Sequence, residues 1–425
     1  MQQEITKFAL LLSLCCWVSG ILHAAPAKGR FDLNRWDRSA ALVLDGHWLY
    51  MPGRFVEPHE FEHILDHDFR DMQMVRPGVS LLDEENAPRF GTYILRLLDP
   101  QKLEELALFH GLYFSSAKSQ VFCRHIPSRA LTLSLGQVGA SLTSSTPKFF
   151  TSALQDLREL AATGPCTELI IMLQVSSFHR HEAGLWLPPR LGRSSTFQNF
   201  MRQQERSSLF ILTILLLVSL YAALSAWRAT REKGARFIGL GAFLLTLRVA
   251  CLWRASAGEA GSENWMWQLE NAWIVSAAYL VPYLFLKSLM CARLDPQASR
   301  PGERFLDGLV LSLLLIQLLI PVRLWTAYTG VFHVLGLGCV LLAILALAQA
   351  AHCGTPNVKL PLVGSLFVFS SVLLELLALY RLVEHVPWTI PGYGMAIGIM
   401  LQLQMMTQRS ADSLENSTVL SASTS

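Results

Sequence analysis

Apolar residues follow two patterns along this chain, and the change falls near residue 208. Before that point apolar runs are short and alternate with polar residues; after it they are long and almost uncharged. In the first part, Ala41–Tyr50, Gly91–Leu97, Leu106–Phe114, Ala130–Leu135 and Glu168–Val175 repeat Leu, Ile, Val and Tyr at period two, bounded by Gly, Pro, Asp and Ser. That period belongs to pleated strands. Several short strands without long helical patterns between them predict a β-sandwich, and about 170 residues suffice to bury one such core. Glu57–Asp68 and Phe150–Ala162 fit short helices or covering loops.

After residue 208, seven segments approach the length of about 20 residues that a bilayer requires. They are Leu209–Ala226, Phe237–Trp253, Leu269–Met290, Phe305–Val322, Ala327–His352, Leu360–Leu382 and Ile390–Met406. The fourth and fifth are parted only by a short turn around Pro321–Thr326, and their combined length fits two spans better than one.

Composition agrees with the membrane class. Charged residues make up 16% of the chain and hydrophobic ones 52%, with a mean hydropathy of +0.35; soluble domains carry about 25% charged residues. A net charge of +3 is too small to imply a nucleic-acid partner. Where the positive charges sit matters more. If the first domain is exported, the loops after spans one, three and five, with the tail, face the cytoplasm. Arg228, Arg231, Lys233, Arg236, Arg293, Arg300, Arg304, Lys359 and Arg409 lie on that side, against Arg254, Arg323 and Arg381 on the other. This positive-inside bias supports an odd number of spans, with the amino terminus outside and the carboxyl terminus inside. Trp227, Trp253, Trp265, Trp267, Trp325 and Trp388 fall at predicted span ends, where indoles favour the headgroup layer.

Lys7, the apolar run Phe8–Ile21 and small residues at Ala24, Ala25 and Ala27 read as a secretion signal, with an uncleaved anchor as the alternative. Of eight cysteines, Cys15 and Cys16 leave with it, while Cys251, Cys291, Cys339 and Cys353 lie in or beside apolar spans. Cys123 and Cys166 remain in the exported part, and thiols in an oxidising compartment can pair. A disulfide between them is expected; two buried free thiols are the alternative.

Three motifs carry a family resemblance. Leu44-Asp45-Gly46-His47-Trp48-Leu49-Tyr50 resembles the opening of the ectodomain of bacterial seven-transmembrane receptors with diverse intracellular signalling modules. Gly91-Thr92-Tyr93-Ile94-Leu95-Arg96 resembles a strand of that ectodomain, and the run from Val175 to Trp186, followed by Leu191-Gly192, resembles its closing segment. Ser177 and Ala183 depart from the family pattern, as does the missing Asn-Gly turn near Cys123-Arg124-His125. The resemblance implies a galactose-binding-like jelly roll in the periplasm, followed by a seven-helix bundle in a bacterial inner membrane, with a sensory role. The organisation expected is a signal peptide over 1–27, a periplasmic β-sandwich sensor over 28–193 and a linker over 194–208. Seven spans over 209–408 and a disordered cytoplasmic tail over 409–425 complete it. The family usually carries an output domain after its last span. None follows here, so the readout is expected on another chain.

Candidate chemistry is sparse. His179, His181 and Glu182 form a short cluster, but a structural metal site needs about four ligands and no second pair lies nearby. A polar loop fits better, and no metal or other cofactor is expected. Trp48, Tyr50, Tyr93 and Trp186 can present aromatic faces to a sugar or fill the core. Core filling suits Trp48 better, whereas Trp186 stands in a Gly- and Pro-bounded loop. Trp48, Tyr93 and Trp186, with His179 and His181, are the candidates for a small-molecule or carbohydrate ligand. Within the spans, Arg248, Glu270 and Glu375 stand out, because an ionisable group in a membrane is costly unless paired or wetted. They are read as a charge cluster that either relays the state of the ectodomain or fixes helix packing. No G-x-S-x-G, phosphate-binding Gly-rich loop, H-E-x-x-H or paired Cys-x-x-Cys occurs, so an enzyme is not expected. The reading is a receptor subunit with a cytoplasmic signalling partner; a transporter or channel subunit with a substrate-capturing ectodomain is the rival. Whether the bundle pairs with a second copy, as a homodimer, stays open.

Overall fold

In the computed structural model, the described residues are 22–404 apart from 25–28, 37, 39, 68–71, 76–87, 112–115, 142, 148–152, 180–187, 229–232, 257–263, 293–299, 355–357 and 380–390. The chain divides into two compact units at about Phe200.

The first unit holds two sheets, antiparallel except where β1 meets β3 and β2 meets β6. The smaller has the order β1 (Leu22–Ala24), β3 (Leu42–Leu44), β13 (Arg190–Arg193), β7 (Leu106–His110) and β11 (Ala153–Asp156). The larger runs β10 (Thr146–Pro147), β9 (Leu131–Gln137), β8 (Ser116–Cys123), β12 (Glu168–Ser176), β6 (Phe90–Leu98), β4 (Trp48–Pro52) and β5 (Gln73–Val75), with β2 (Arg30–Asp32) beside β6. Register explains the core. Tyr93, Leu95 and Leu97 of β6 stand opposite Leu173, Ile171 and Leu169 of β12, and these residues share one buried cluster with Leu42, Leu44, Leu106, Leu108 and Leu191 of the smaller sheet. Alternate residues point the other way, as period two requires. Ile94, Ile170, Met172 and Phe122 form a second cluster, covered by Val56 and by Phe61 and Ile64 of helix α1 (Phe61–His67). Strand β12 is therefore buried along its whole length, which accounts for its nearly continuous apolar run.

Several elements differ from the sequence expectation, among them β1, which pairs with β3 although it lies inside the signal peptide expected over 1–27. The single strand expected over Ala41–Tyr50 is two strands in different sheets. Asp45-Gly46-His47 carries the chain across, and the Trp48 indole closes the corner by donating to the Leu44 carbonyl at 2.8 Å. Strand β8 was not expected, because Lys118 and Gln120 interrupt its apolar character; it is central nonetheless. Phe150–Ala162 contains strand β11 and one short helix, α2 (Arg158–Ala161).

The second unit is helical. Its elements are α3 (Ser194–Arg228, which begins in the first unit), α4 (Lys233–Ser256), α5 (Asn264–Ala292), α6 (Arg300–Leu319), α7 (Val322–Trp325), α8 (Thr329–His352), α9 (Lys359–Leu379) and a helix α10 over residues 391–404. Among the described residues, five helical segments are long and apolar enough to cross a membrane: Ser194–Leu224, Gly234–Arg254, Asn271–Cys291, Val322–His352 and Lys359–Leu377. The chain is thus a multi-pass membrane protein. Helix α6 is not among the five, since Arg300, Glu303, Arg304 and Asp307 crowd its start. Helix α10 shows only fourteen described residues, about 21 Å at 1.5 Å per residue, short of the roughly 30 Å of a hydrocarbon core. The expected linker over 194–208 is the start of α3. No Gly or Pro occurs between Ser194 and Arg228, so nothing breaks the helix.

Candidate functional site

Polar side chains gather inside the helical unit at the end shared by the C-terminus of α4 and the N-termini of α5 and α8. Arg248 of α4 and Glu375 of α9 form an ion pair at 2.8 Å, with side chains about one-tenth exposed (11% and 12%). Arg248 stands eight residues before the end of α4, about 12 Å along the axis. Water is scarce there, so each charge depends on the other. His333 of α8 lies close enough to feel both charges and is held through its Nδ1 at 2.9 Å from the Thr329 carbonyl oxygen. Arg248 Nε and Glu375 Oε2 have no hydrogen-bond partner among the described residues.

In the same helical unit, Gln317 of α6 is held by two hydroxyls of α5. Tyr279 donates to its amide oxygen at 2.9 Å, and Ser276 donates to the same atom. The ring of Tyr279 stacks on Phe332 of α8, with centroids 5.6 Å apart. Gln317 Nε2 and the indole nitrogens of Trp273 and Trp325 have no partner among the described residues. A second polar set joins Lys287 to Asp307 at 2.7 Å, with the Tyr283 hydroxyl donating to Asp307 at 2.6 Å. The small residues between α5 and α8 permit this closeness: a Cβ on Gly336 would strike the Ala278 carbonyl.

The β unit has its own polar groups. On the outer face of the larger sheet, Glu57 accepts from Lys118, Gln120 and Gln174, each at 3.0 Å. Burial works to raise the Glu57 carboxyl, but these donors together hold it below the usual carboxylate value. An alternating chain of charge runs beside it: Arg96 pairs with Glu168, Glu168 with Arg124 at 3.2 Å, and Arg124 with Glu62 of α1 at 2.7 Å. Glu168 is likewise held low, the two arginines outweighing its burial. Between the sheets, Ser119 donates to the Gln155 carboxamide oxygen at 2.8 Å, and the same oxygen lies 3.4 Å from Nε2 of the wholly buried His110. Burial pushes the His110 imidazole down to about 4.

The residues singled out in the sequence are distributed over both units. Trp48 and Tyr93 are fully buried between the sheets, where they fill the core and present no face to a ligand. His179 is buried; His181 and Trp186 lie outside the described residues. Cys123 and Cys166 are joined in a disulfide with Cα atoms 5.5 Å apart. Arg248 meets Glu375, while the side chain of Glu270 lies outside the described ones. His333, Gln317, Ser276 and Tyr279 were not picked out. The isolated Gln317 in the apolar run Leu309–Leu319 was the available signal. Among the described residues no group of three His, Cys, Asp or Glu side chains is placed to hold a metal ion. No protein-family model and no curated protein sequence matches the chain.

Proposed function

We propose that this chain is a receptor subunit of a bacterial inner membrane. A periplasmic jelly-roll domain binds a small-molecule or carbohydrate ligand, and a seven-helix bundle relays its state to a separate cytoplasmic partner. The observation that carries this reading is the join at Ser194. Strand β13 lies at the centre of the smaller sheet, and the residue after it opens the 35-residue helix α3 with no linker between. A ligand that favours one conformation of the sandwich therefore acts on an element that continues into a span, by as much as its affinities for the two states differ. Seven spans result if α6 and α10 cross beside the five long helices. The basic loops after spans one and three offer the partner's contact, and the three sequence motifs support the family.

Photo-reactive residues at Arg231 and Arg293 in living cells test this reading. They should capture a cytoplasmic protein, and a Gly-Gly-Gly insertion after Gln203 should alter the yield. A well-inserted chain that captures nothing would rule the receptor out. Substrate flux through vesicles carrying the purified protein would put a transporter in its place.

A further inference from the structure

The β unit contains a cavity of about 290 Å³ at the join between β13 and α3. Arg38, Ala40 and Ala41 line it from the segment before β3, Arg193 from the end of β13, and Thr196 and Phe197 from the first turn of α3. Its described lining thus holds two guanidinium groups and no carboxylate. At a share of about 30 Å³ per water molecule, the space suits a small organic molecule.

The two cations are available. Arg38 makes no ion pair among the described residues, and Arg193 stands 4.0 Å from Glu105 with both side chains about half exposed, a contact worth little in water. The wall is built in advance. Phe197 stacks on Phe109 of β7 with centroids 5.1 Å apart and planes at 18°. Gly192 leaves room for that ring, since a Cβ there would come within 2.9 Å of it. Planar guanidinium forks match carboxylate and phosphate oxygens in pairs.

We propose that this cavity binds a small organic anion, a carboxylate- or phosphate-bearing molecule no larger than a sugar phosphate. Such a ligand bridges the sheet and the first turn of α3, so it ties the opening of the helix to the sandwich. The receptor reading gives this binding its purpose, but the binding itself does not depend on that reading.

The test uses the full chain in nanodiscs, titrated calorimetrically with glucuronate, glucose 6-phosphate and neutral glucose. One anion, or both, should bind saturably, weaken as salt rises and outbind glucose. Binding by one alone identifies carboxylate or phosphate as the group recognised. In the R38Q/R193Q double variant affinity should drop at least tenfold, and Ala40→Glu, which puts an acid into the space, should do the same. The Arg→Lys pair should retain part of the affinity. Intact Cys123–Cys166 bridging and an unchanged circular-dichroism spectrum show that the variants fold. Glucose binding as tightly as the anions, anion affinity unchanged in the double variant, or no saturable binding of either anion at millimolar concentration would each overturn the proposal. Anion binding without a captured cytoplasmic protein would keep the site and discard the receptor; capture without anion binding would discard the site alone.

Discussion

Arg248 and Glu375 are separated by 127 positions in sequence and by 2.8 Å in space. One lies on α4 and the other on α9, and the pair ties two helices that are not neighbours in the chain. Removing one partner leaves the other charged and poorly solvated. Such a break costs about 3–5 kcal/mol in buried pairs.

Arg248→Met or Glu375→Gln alone should therefore lower the melting temperature of the purified protein clearly. The reversed pair, Arg248→Glu with Glu375→Arg, should recover most of the loss. A double variant no better than either single one would show that the contact is not a working pair.

Gly336 offers a steric test. Alanine is the better helix former by about 1 kcal/mol, yet at Gly336 its Cβ would strike the Ala278 carbonyl on α5. Overpacking of this kind costs about 1–3 kcal/mol, so Gly336→Ala should destabilise. At Gly338 nothing lies within 4 Å, and Gly338→Ala should leave stability level or raise it. Equal responses in thermal unfolding would contradict the packing of α5 on α8.

The disulfide between Cys123 and Cys166 closes a loop with a sequence separation of 43. Chain entropy for such a loop gives a stabilisation of about 4 kcal/mol. Replacing both cysteines with serine should lower the unfolding midpoint of the β unit within the full chain. Non-reducing mass spectrometry provides the direct check, and two free thiols there would refute the bridge.

His110 predicts a pH dependence. Its ordinary value is 6.5 and burial brings it to about 4 in the fold. Above 6.5 the ring is neutral in folded and unfolded chains alike. As pH falls from there to about 4, the unfolded chain takes up a proton that the folded chain refuses, so stability drops by about 3 kcal/mol. Glu57, Glu62 and Glu168 act lower. Their depressed values contribute stability above the usual 4.5 that is lost as pH falls below it. Denaturant unfolding of His110→Gln should show a flatter profile between pH 6.5 and 4 and keep the acid limb below. A profile unchanged by the substitution would show that His110 is not the group responsible.

Much of the architecture is local in origin and was legible on that account. A segment such as Leu209–Ala226 is apolar whatever surrounds it, and Glu168–Val175 announces a strand buried on both faces. Strand β8 was not legible. Its residues Lys118 and Gln120 are polar because they meet Glu57, 61 and 63 positions away, and no local pattern reports that. The start of α3 was hidden for a different reason: its first turns are polar, and only the absence of Gly and Pro hinted that they continue the span.

The sequence alone determined the division near residue 208, the β character of the residues before it and the membrane character of those after it. Each of these depends on the composition and period of single segments, and solvent reads those directly. Tertiary structure alone decided that Asp45-Gly46-His47 crosses between sheets, that Trp48 and Tyr93 go to the core, and that Arg248 finds Glu375. It also placed His110 with Gln155 and Ser119, and opened a cavity lined by Arg38 and Arg193. All of these are relations between segments far apart along the chain, and they come into being only when packing brings those segments together.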